Sequence, residues 1–308
     1  MDALGIGNAI IDVICKVSED FIKKNNLTKG TMKLVNEKDF KKILNELKIS
    51  ETISGGSVAN SIVGLAQLGN NVGFIGKVNN DDFGKKYEEG LKKEKVAYHY
   101  KKKIETFPTG ACLVLITPDA ERTMCTFLGI AGKIDENDIN VNIIRESKIT
   151  FLEGYLWDEG KAKSAFNKAI KYSNITAMTL SDLFCVERHK QSFLDLIKNK
   201  LDIIFANEQE MISLIDAKSI EEVVSFCKEQ KKLFVITRGS DGALSIENNN
   251  IFECPIQQNL KILDLTGAGD LFAAGFLHGY INNKSENDCL ELGTEMSSKV
   301  IQILGARL

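Results

Sequence analysis

The chain has 308 residues, of which 44% are hydrophobic and 26% are charged, and its formal net charge is −3. This composition is ordinary for a globular protein, and 39 basic residues against 42 acidic ones leave no surplus of positive charge for a nucleic acid. We therefore expect a small-molecule partner and no nucleic-acid partner.

Short apolar runs alternate with helix-period segments through most of the chain. The segment 57–68 shows the helix period well, with Val58, Ile62 and Leu65 on one face and Gly69 just beyond its end. This alternation is typical of an α/β protein with a Rossmann-like, doubly wound and mostly parallel sheet that is covered by helices. The apolar runs lie at residues 3–7, 72–78, 149–152, 175–180, 201–206 and 233–237.

Two stretches break this alternation, at residues 14–40 and 97–128. In the second stretch, residues 111–117 and 122–127 have the pattern of two strands that a Pro118-Asp119 turn connects. No linker or internal repeat divides the chain. We therefore expect a single domain over residues 1–308, with a small β-sheet lid inserted approximately at 14–40 and 97–128.

The most informative segment is 264–277, which places two glycines and an acid at the front of an apolar helix. In Gly267-Ala268-Gly269 the backbone N–H groups can converge on one point, and the following helix adds the positive end of its dipole there. Asp270 comes next, where its carboxylate can accept a proton from a hydroxyl. An anion hole beside a base indicates a small-molecule kinase.

Polar and small residues also follow the earlier apolar runs, where ligands of an open α/β sheet bind. Asn8 and Asp12 follow the first run, and a carboxylate there can hold a sugar diol, although a turn Asn and a surface Asp are the alternative. Gly55-Gly56-Ser57 lets bare backbone approach a ligand, and Asn60 offers both a donor and an acceptor. A tight turn with Ser57 as helix N-cap would explain the glycines but not Asn60.

The later runs end in groups that suit a nucleotide and its metal ion. Asn207 and Glu210 can hold Mg²⁺ through water molecules, whereas an ordinary acidic helix start is the alternative. Arg238 lies beside Gly239 and Gly242 in a turn that suits nucleotide phosphates, and a plain hairpin turn is the alternative there.

Other enzyme classes are poorly supported by the sequence. Ile10 occupies the position where the dinucleotide fingerprint Gly-x-Gly-x-x-Gly needs its third glycine, which argues against a nicotinamide oxidoreductase. The P-loop and protein-kinase signatures are absent from the sequence.

Cysteine usage and hydropathy indicate the compartment. The seven cysteines are scattered, without a Cys-x-x-Cys pair, and we interpret them as free thiols in a reducing environment. The N-terminus opens directly into a strand pattern, and no helical stretch approaches the ~20 apolar residues that cross a bilayer. We expect a cytoplasmic protein with no membrane partner.

Taken together, the chain resembles the ribokinase-like (PfkB) carbohydrate kinases, and more closely their adenosine-kinase-like branch. The resemblance runs nearly from end to end, and the last of its motifs is the most specific. The motifs are Gly55-Gly-Ser-Val-Ala-Asn60, Phe74-Ile-Gly76-Lys-Val with Asp82-Phe-Gly84, Pro108-Thr-Gly110, Asn207-Glu-Gln-Glu210, Thr237-Arg-Gly239 and Asp264-Leu-Thr-Gly-Ala-Gly-Asp270.

The resemblance implies ATP-dependent phosphorylation of a primary hydroxyl on a sugar or nucleoside, by a ribokinase-like fold with a β lid. Asp270 would be the base, and the backbone of Gly267, Ala268 and Gly269 would form the anion hole. The acceptor hydroxyls would be held by Asn8, Asp12, Gly56 and Asn60.

It also implies roles on the donor side. Asn207 and Glu210 would organise Mg²⁺ and phosphate, while Thr237, Arg238 and Gly239 would lie along the nucleotide. Arg122 resembles an arginine that reaches the transferred phosphoryl group. Asp264 and Thr266, which can offer oxygens to a cation or only cap the turn, match positions that shape a monovalent-cation (K⁺) site.

Three functions remain open at this point. A nucleoside kinase for adenosine or a related nucleoside leads, and a ribose- or fructose-type sugar kinase of the same family is the nearest alternative. A non-catalytic nucleotide- or sugar-binding protein is the alternative from a different class. The protein is expected to be a monomer or a homodimer.

Overall fold

The main sheet runs through the centre of the molecule. The computed structural model describes residues 1–119, 121–158 and 160–308, and within them this sheet has nine strands. Seven neighbouring strands pair in parallel, and the remaining two strands, at one edge, are joined by antiparallel pairing. In spatial order they are β14 (Asn250–Cys254), β13 (Ala243–Glu247), β12 (Leu233–Thr237), β11 (Ile203–Asn207), β10 (Ile175–Thr179), β9 (Ile149–Glu153), β1 (Ala3–Ile6), β5 (Val72–Ile75) and β6 (Ala97–Tyr98).

Helices cover both faces of this sheet. Successive residues of β1 contribute to opposite cores, with Ala3 in one and Leu4 in the other, as expected for a strand buried on both faces. The helices at residues 57–67, 82–93, 268–281 and 286–300 pack on the first face, and the five helices between residues 141 and 230 pack on the second. The predicted doubly wound, mostly parallel α/β fold is confirmed. The helices are α1 (Glu19–Lys24), α2 (Glu37–Leu44), α3 (Ser57–Gln67), α4 (Asp82–Lys93), α5 (Val141–Arg145), α6 (Ala162–Tyr172), α7 (Leu183–Asn199), α8 (Glu208–Ile215), α9 (Ile220–Gln230), α10 (Ala268–Ile281) and α11 (Glu286–Val300).

A second sheet, which we call the small sheet, stands at the carboxyl end of the main sheet's strands. Its five strands are, in spatial order, β3 (Met32–Leu34), β8 (Arg122–Phe127), β7 (Gly110–Ile116), β2 (Ile10–Lys16) and β4 (Ile49–Gly55). The ranges predicted for a lid, 14–40 and 97–128, miss the start of β2 and all of β4. Strand β4 escaped prediction because its first three residues are exposed and it carries only two apolar side chains. Ala120, beside the predicted Pro118-Asp119 turn, lies outside the described residues.

Helices α10 and α11 approach each other unusually closely. A Cβ added at Gly275 would lie 2.3 Å from the Leu292 carbonyl oxygen, and one at Gly279 would lie 2.8 Å from the Cys289 Sγ. Glycine is therefore required at these positions by the neighbouring helix rather than by backbone conformation. The contact fixes the two helices to each other.

The parallel strands bring their carboxyl ends to one edge of the sheet. Asn207 pairs with Thr237 across β11 and β12, and Thr179 pairs with Glu153 across β10 and β9. The residues that follow the strands therefore converge there. No helix in the described part of the chain is both long and apolar enough to span a membrane.

Candidate active site

The glycine turn before α10 has the geometry of an anion site. Gly267 is the N-cap of α10, and its φ of 78° lies in the left-handed region that favours glycine. A Cβ added at Gly269 would meet no atom of the described residues within 4 Å, so the backbone there is open. The turn lines a cavity of about 260 Å³, here called the central cavity, together with Asn207, Glu210 and Asp270. Unpaired N–H groups at a helix start favour an anion.

Asp270 is held by two hydrogen bonds at the rim of this cavity. The Ser57 hydroxyl donates to its Oδ1 at 2.6 Å, and the Asn60 Nδ2 donates to its Oδ2 at 2.9 Å. Burial raises the pKa of Asp270 to about 6, although these two bonds and the charge of Arg307 oppose that rise. The carboxylate is thus positioned and remains ionised in most molecules at neutral pH, as a proton acceptor requires.

Ser57 does not have the capping role that was considered for it. The N-cap of α3 is Gly56, no side chain caps the helix, and Ser57 is the first helical residue. Its hydroxyl therefore points to Asp270 instead of closing its own helix.

The glycines before α3 are required by close neighbours. Gly56 has a φ of 105°, and a Cβ there would lie 2.2 Å from the Asn8 carbonyl oxygen. A Cβ at Gly55 would lie 2.4 Å from the Asp12 Oδ2. These glycines therefore allow the chain segments that carry Asn8 and Asp12 to pass next to the front of α3.

Asp12 lies on a different element from the one predicted. It is part of β2 in the small sheet, opposite Ile53 of β4, and does not belong to the turn after β1. It lines a cavity of about 90 Å³, the small-sheet cavity, together with Asn60, Arg122 and Arg307. Burial raises the pKa of Asp12 to about 6, against the opposing charges of the two arginines.

Asn8 is buried below these cavities. Its backbone N and its Nδ2 donate to Glu153 Oε1 at 3.2 and 2.8 Å, and the Val58 N donates to Glu153 Oε2 at 3.0 Å. The Asn8 Oδ1 has no hydrogen-bond partner among the described residues. Burial raises the pKa of Glu153 to about 7. Through its bond to the Val58 N, Glu153 connects the end of β9 to the start of α3. The sequence analysis missed this role, although Glu153 directly follows the apolar run 149–152.

Asn207 and Glu210 cap α8 reciprocally. The Asn207 Oδ1 accepts from the Glu210 N at 2.8 Å, and the Glu210 carboxylate accepts from the Asn207 N and Nδ2 at 3.1 and 2.5 Å. This is the helix start considered as the alternative, yet both residues also line the central cavity. Burial raises the pKa of Glu210 to about 7. A carboxylate with spare lone pairs in a cavity beside an anion site fits Mg²⁺ bound through water.

The turn after β12 faces a third cavity, of about 560 Å³, here called the outer cavity. Thr237, Gly239 and Gly242 line it, while Arg238 is drawn aside by an ion pair of 3.0 Å between its Nε and Glu208 Oε2. Residues 256–260 and Ile262 also line it, as do Thr294 and Ser298 of α11 and Ile301 just after that helix. The outer and central cavities share Thr237, Ala268 and Gly269 in their linings.

Asp264 and Thr266 are occupied by contacts within the protein. The Asp264 Oδ1 accepts hydrogen bonds from the Thr266 N and Oγ1. The Asp264 Oδ2 accepts a hydrogen bond from the Gly305 N and forms an ion pair of 2.8 Å with Arg122 Nη1. These four contacts use the lone pairs of the carboxylate. The side chains cap the turn, and they present no free carboxylate oxygen to a monovalent cation.

Arg307, which the sequence analysis did not select, enters the site from the segment after α11. Its Nε donates to Asn60 Oδ1 at 3.0 Å and its Nη1 donates to Ser54 Oγ at 2.8 Å. No periodicity or motif marks this residue, because a single arginine beyond the last helix has no pattern around it.

The chain matches known kinases over nearly its whole length. A model of the pfkB family carbohydrate kinases matches residues 6–308. The structure of adenosine kinase from Sinorhizobium meliloti has a TM-score of 0.92 and 33% identity, covering 100% of this chain and 95% of that one. A probable sugar kinase from Rhizobium etli has a TM-score of 0.90 and 34% identity, covering 99% and 94%. Adenosine kinase 2 of Arabidopsis thaliana is 24% identical over 98% of this chain and 94% of its own length.

These matches agree with a site that pairs an anion-binding turn with a held carboxylate. The chain belongs to the pfkB family of carbohydrate kinases and is an ATP-dependent sugar or nucleoside kinase.

Proposed function

We propose that the protein phosphorylates the primary hydroxyl of a nucleoside, adenosine or a close relative, with ATP as donor. The arrangement of the three cavities around Asp270 carries this proposal. Asn60 lines the small-sheet cavity and bonds to Asp270, which lines the central cavity, and the central cavity continues into the outer one. The acceptor would thus lie in the small-sheet cavity, the transferred phosphate in the central cavity and the nucleotide base in the outer cavity. Asp270 would lie between the acceptor and the phosphate.

On the acceptor side, the small-sheet cavity would hold the nucleoside. Asp12 can accept hydrogen bonds from two neighbouring ribose hydroxyls, and its raised pKa is lowered again when such donors bind the charged form. Asp270 would accept the proton of the primary hydroxyl as that oxygen attacks phosphorus. Since both of its oxygens are already oriented by Ser57 and Asn60, the carboxylate needs no rearrangement before the reaction.

On the donor side, the N–H groups around Gly267–Gly269 would stabilise the charge that develops on the transferred phosphoryl group. The base and ribose of ATP would occupy the outer cavity, between residues 256–262 and α11. Mg²⁺, when bound through water at Glu210, would neutralise phosphate oxygens. The small sheet would exclude water from the reacting atoms, which limits ATP hydrolysis.

The acceptor is proposed to be a nucleoside because the small-sheet cavity is partly apolar. Beside Asp12 and Asn60, it is lined by Ile14, Val114 and Met124 of the small sheet, a surface that can cover a base. Among the relatives, the proteins from S. meliloti and A. thaliana are named adenosine kinases. The R. etli protein is named a probable sugar kinase at similar identity, so a sugar acceptor is the second candidate.

A coupled assay of ADP release with adenosine, other nucleosides, ribose and fructose tests the proposal. We expect the highest kcat/KM with adenosine or another purine nucleoside, and loss of that turnover in Asp270→Asn. Turnover of a free sugar with none of any nucleoside would refute the nucleoside assignment. Turnover of none of these acceptors would also refute the proposed function.

A further inference from the structure

The segment that follows α11 is fixed to the glycine turn. The Gly305 N donates to Asp264 Oδ2 at 2.8 Å, and a Cβ added at Gly267 would lie 2.7 Å from the Cα of Ala306. The turn that shapes the anion site therefore also determines where the next residue, Arg307, enters the site.

Arg307 determines the orientation of the Asn60 amide. An arginine side chain has only donors, so the atom of Asn60 that faces the Arg307 Nε must be the amide oxygen. The Asn60 Nδ2 is then directed to Asp270 Oδ2. Without the arginine, the amide could turn over and place its oxygen against a carboxylate oxygen, which would repel it. The Arg307–Asn60–Asp270 contacts thus form one directed chain of hydrogen bonds.

Arg307 also opposes the other charges around Asp270. Among the described ionisable groups, the charge of Arg307 lowers the pKa of Asp270. The ionised Asp270 in turn raises the pKa values of Asp12 in β2, Glu153 in β9 and Tyr155 just after β9, and this repulsion between acids is mutual. The two acids raise the pKa of Asp270 when they are ionised, and the guanidinium lowers it. Asp12 is also subject to the charge of Arg307.

We propose that Arg307 is a positioning residue for phosphoryl transfer, which orients Asn60 and keeps Asp270 in the carboxylate form that accepts the hydroxyl proton. This inference rests on the proposed role of Asp270 as base. Arg307 acts through Asn60 and through its charge.

The test compares Arg307→Gln and Arg307→Lys with the wild type, and uses Arg145→Gln, an exposed arginine outside the site, as control. kcat/KM is measured from pH 5 to pH 9 with whichever acceptor the wild type phosphorylates. In Arg307→Gln, we expect the acid limb of the profile to move up by about one pH unit because the opposing charge is lost. We expect Arg307→Lys to retain the limb but to lower kcat about tenfold, since an ammonium cannot hold Asn60 and Ser54 in the same fork. The control Arg145→Gln should have the same kcat/KM as the wild type across this pH range.

A second readout does not depend on turnover. The side-chain carboxyl of Asp270 is titrated by NMR in the wild type and in Arg307→Gln, and it is assigned by its absence in Asp270→Asn. We expect a higher pKa in Arg307→Gln. An unchanged Asp270 titration overturns the inference even if the protein has another function, whereas failure to phosphorylate any acceptor counts against the proposed function alone. If Arg307→Gln does not fold, wild-type kcat in Arg307→Lys overturns the inference.

Discussion

Arg122 and Asp264 form a buried ion pair, with Arg122 Nη1 2.8 Å from Asp264 Oδ2, which joins β8 of the small sheet to the turn before α10. The two side chains are only 12% and 6% exposed. The pair therefore links the small sheet directly to the turn that would bind phosphate.

We predict that Arg122→Gln lowers the free energy of unfolding by about 3 kcal/mol, because removing one partner leaves the other charge buried without compensation. Urea unfolding of both proteins measures the change. In a double-mutant cycle with Asp264→Asn, the two substitutions should be strongly non-additive. Equal unfolding midpoints for Arg122→Gln and the wild type would show that the link contributes nothing to stability.

Asp270→Asn should reduce kcat by about 10²–10⁴-fold, the range typical of a lost general base, while the affinity for ATP stays within a few-fold of the wild type. Asparagine keeps the size of the side chain and can still bond to Ser57 and Asn60. Steady-state kinetics and calorimetric titration with ATP measure the two quantities. Asp20→Asn, at an exposed position in α1, is the control and should retain full activity.

The same substitution should change how stability depends on pH. The pKa of Asp270 is raised from an ordinary 3.8 to about 6, so the folded protein binds this proton more tightly than the unfolded chain does. The ionised carboxyl therefore destabilises the folded state above about pH 6, and this penalty disappears as the pH falls towards 4. We predict that Asp270→Asn is more stable than the wild type at pH 8 by up to about 3 kcal/mol, with a smaller difference at pH 4. A difference that does not vary with pH would contradict the raised pKa.

Gly56→Ala should destabilise the protein far more than Gly69→Ala. Both glycines have positive φ, 105° and 90°, but a Cβ at Gly56 meets the Asn8 carbonyl oxygen at 2.2 Å, whereas one at Gly69 meets nothing within 4 Å. Gly69→Ala therefore measures backbone strain alone, on the order of 1–3 kcal/mol, and the excess in Gly56→Ala measures the collision. Thermal unfolding of the pair provides the comparison. Equal losses of thermal stability in the two variants would mean that the backbone at Asn8 shifts to accommodate the added methyl group at no cost.

Gly269→Ala tests the anion site without disturbing the fold. A Cβ there has open space, and alanine favours helix, so we expect an unchanged or slightly higher Tm. If phosphate lies against this backbone, the methyl group should raise the KM for ATP about tenfold and leave the KM for the acceptor unchanged. An unchanged KM for ATP would place the phosphate elsewhere.

The sequence predicted six of the nine described strands of the main sheet, β1, β5 and β9 to β12, because they are largely buried and stand out as apolar runs. The short β6 and the antiparallel strands β13 and β14 were not predicted. Strand β12 was predicted with its observed bounds, and β10 differs by one residue at its end. The small sheet was harder to predict because β3 and the first half of β4 are exposed and form no apolar run. Strand β4 carries only two apolar side chains among its seven residues, and the glycines at its end were interpreted only as the front of α3.

For the candidate site, the sequence indicated which residues lie together where those residues are close in the chain. Gly267, Gly269 and Asp270 belong to one short motif, so their placement could be foreseen. Glu153 and Arg307 could not, because each reaches the site from a distant part of the chain and its partners are set by tertiary packing. No local pattern records such a contact.

The close packing of α10 against α11 fixes a distance in the molecule. One helix begins with the turn that would bind phosphate, and the other carries the wall that would bind the base, so the two places cannot slide past one another. If the proposed assignment is correct, the helix pair fixes the distance between the base of the nucleotide and its terminal phosphate. A nucleotide that is one phosphate shorter and rests against the same wall would end short of Asp270.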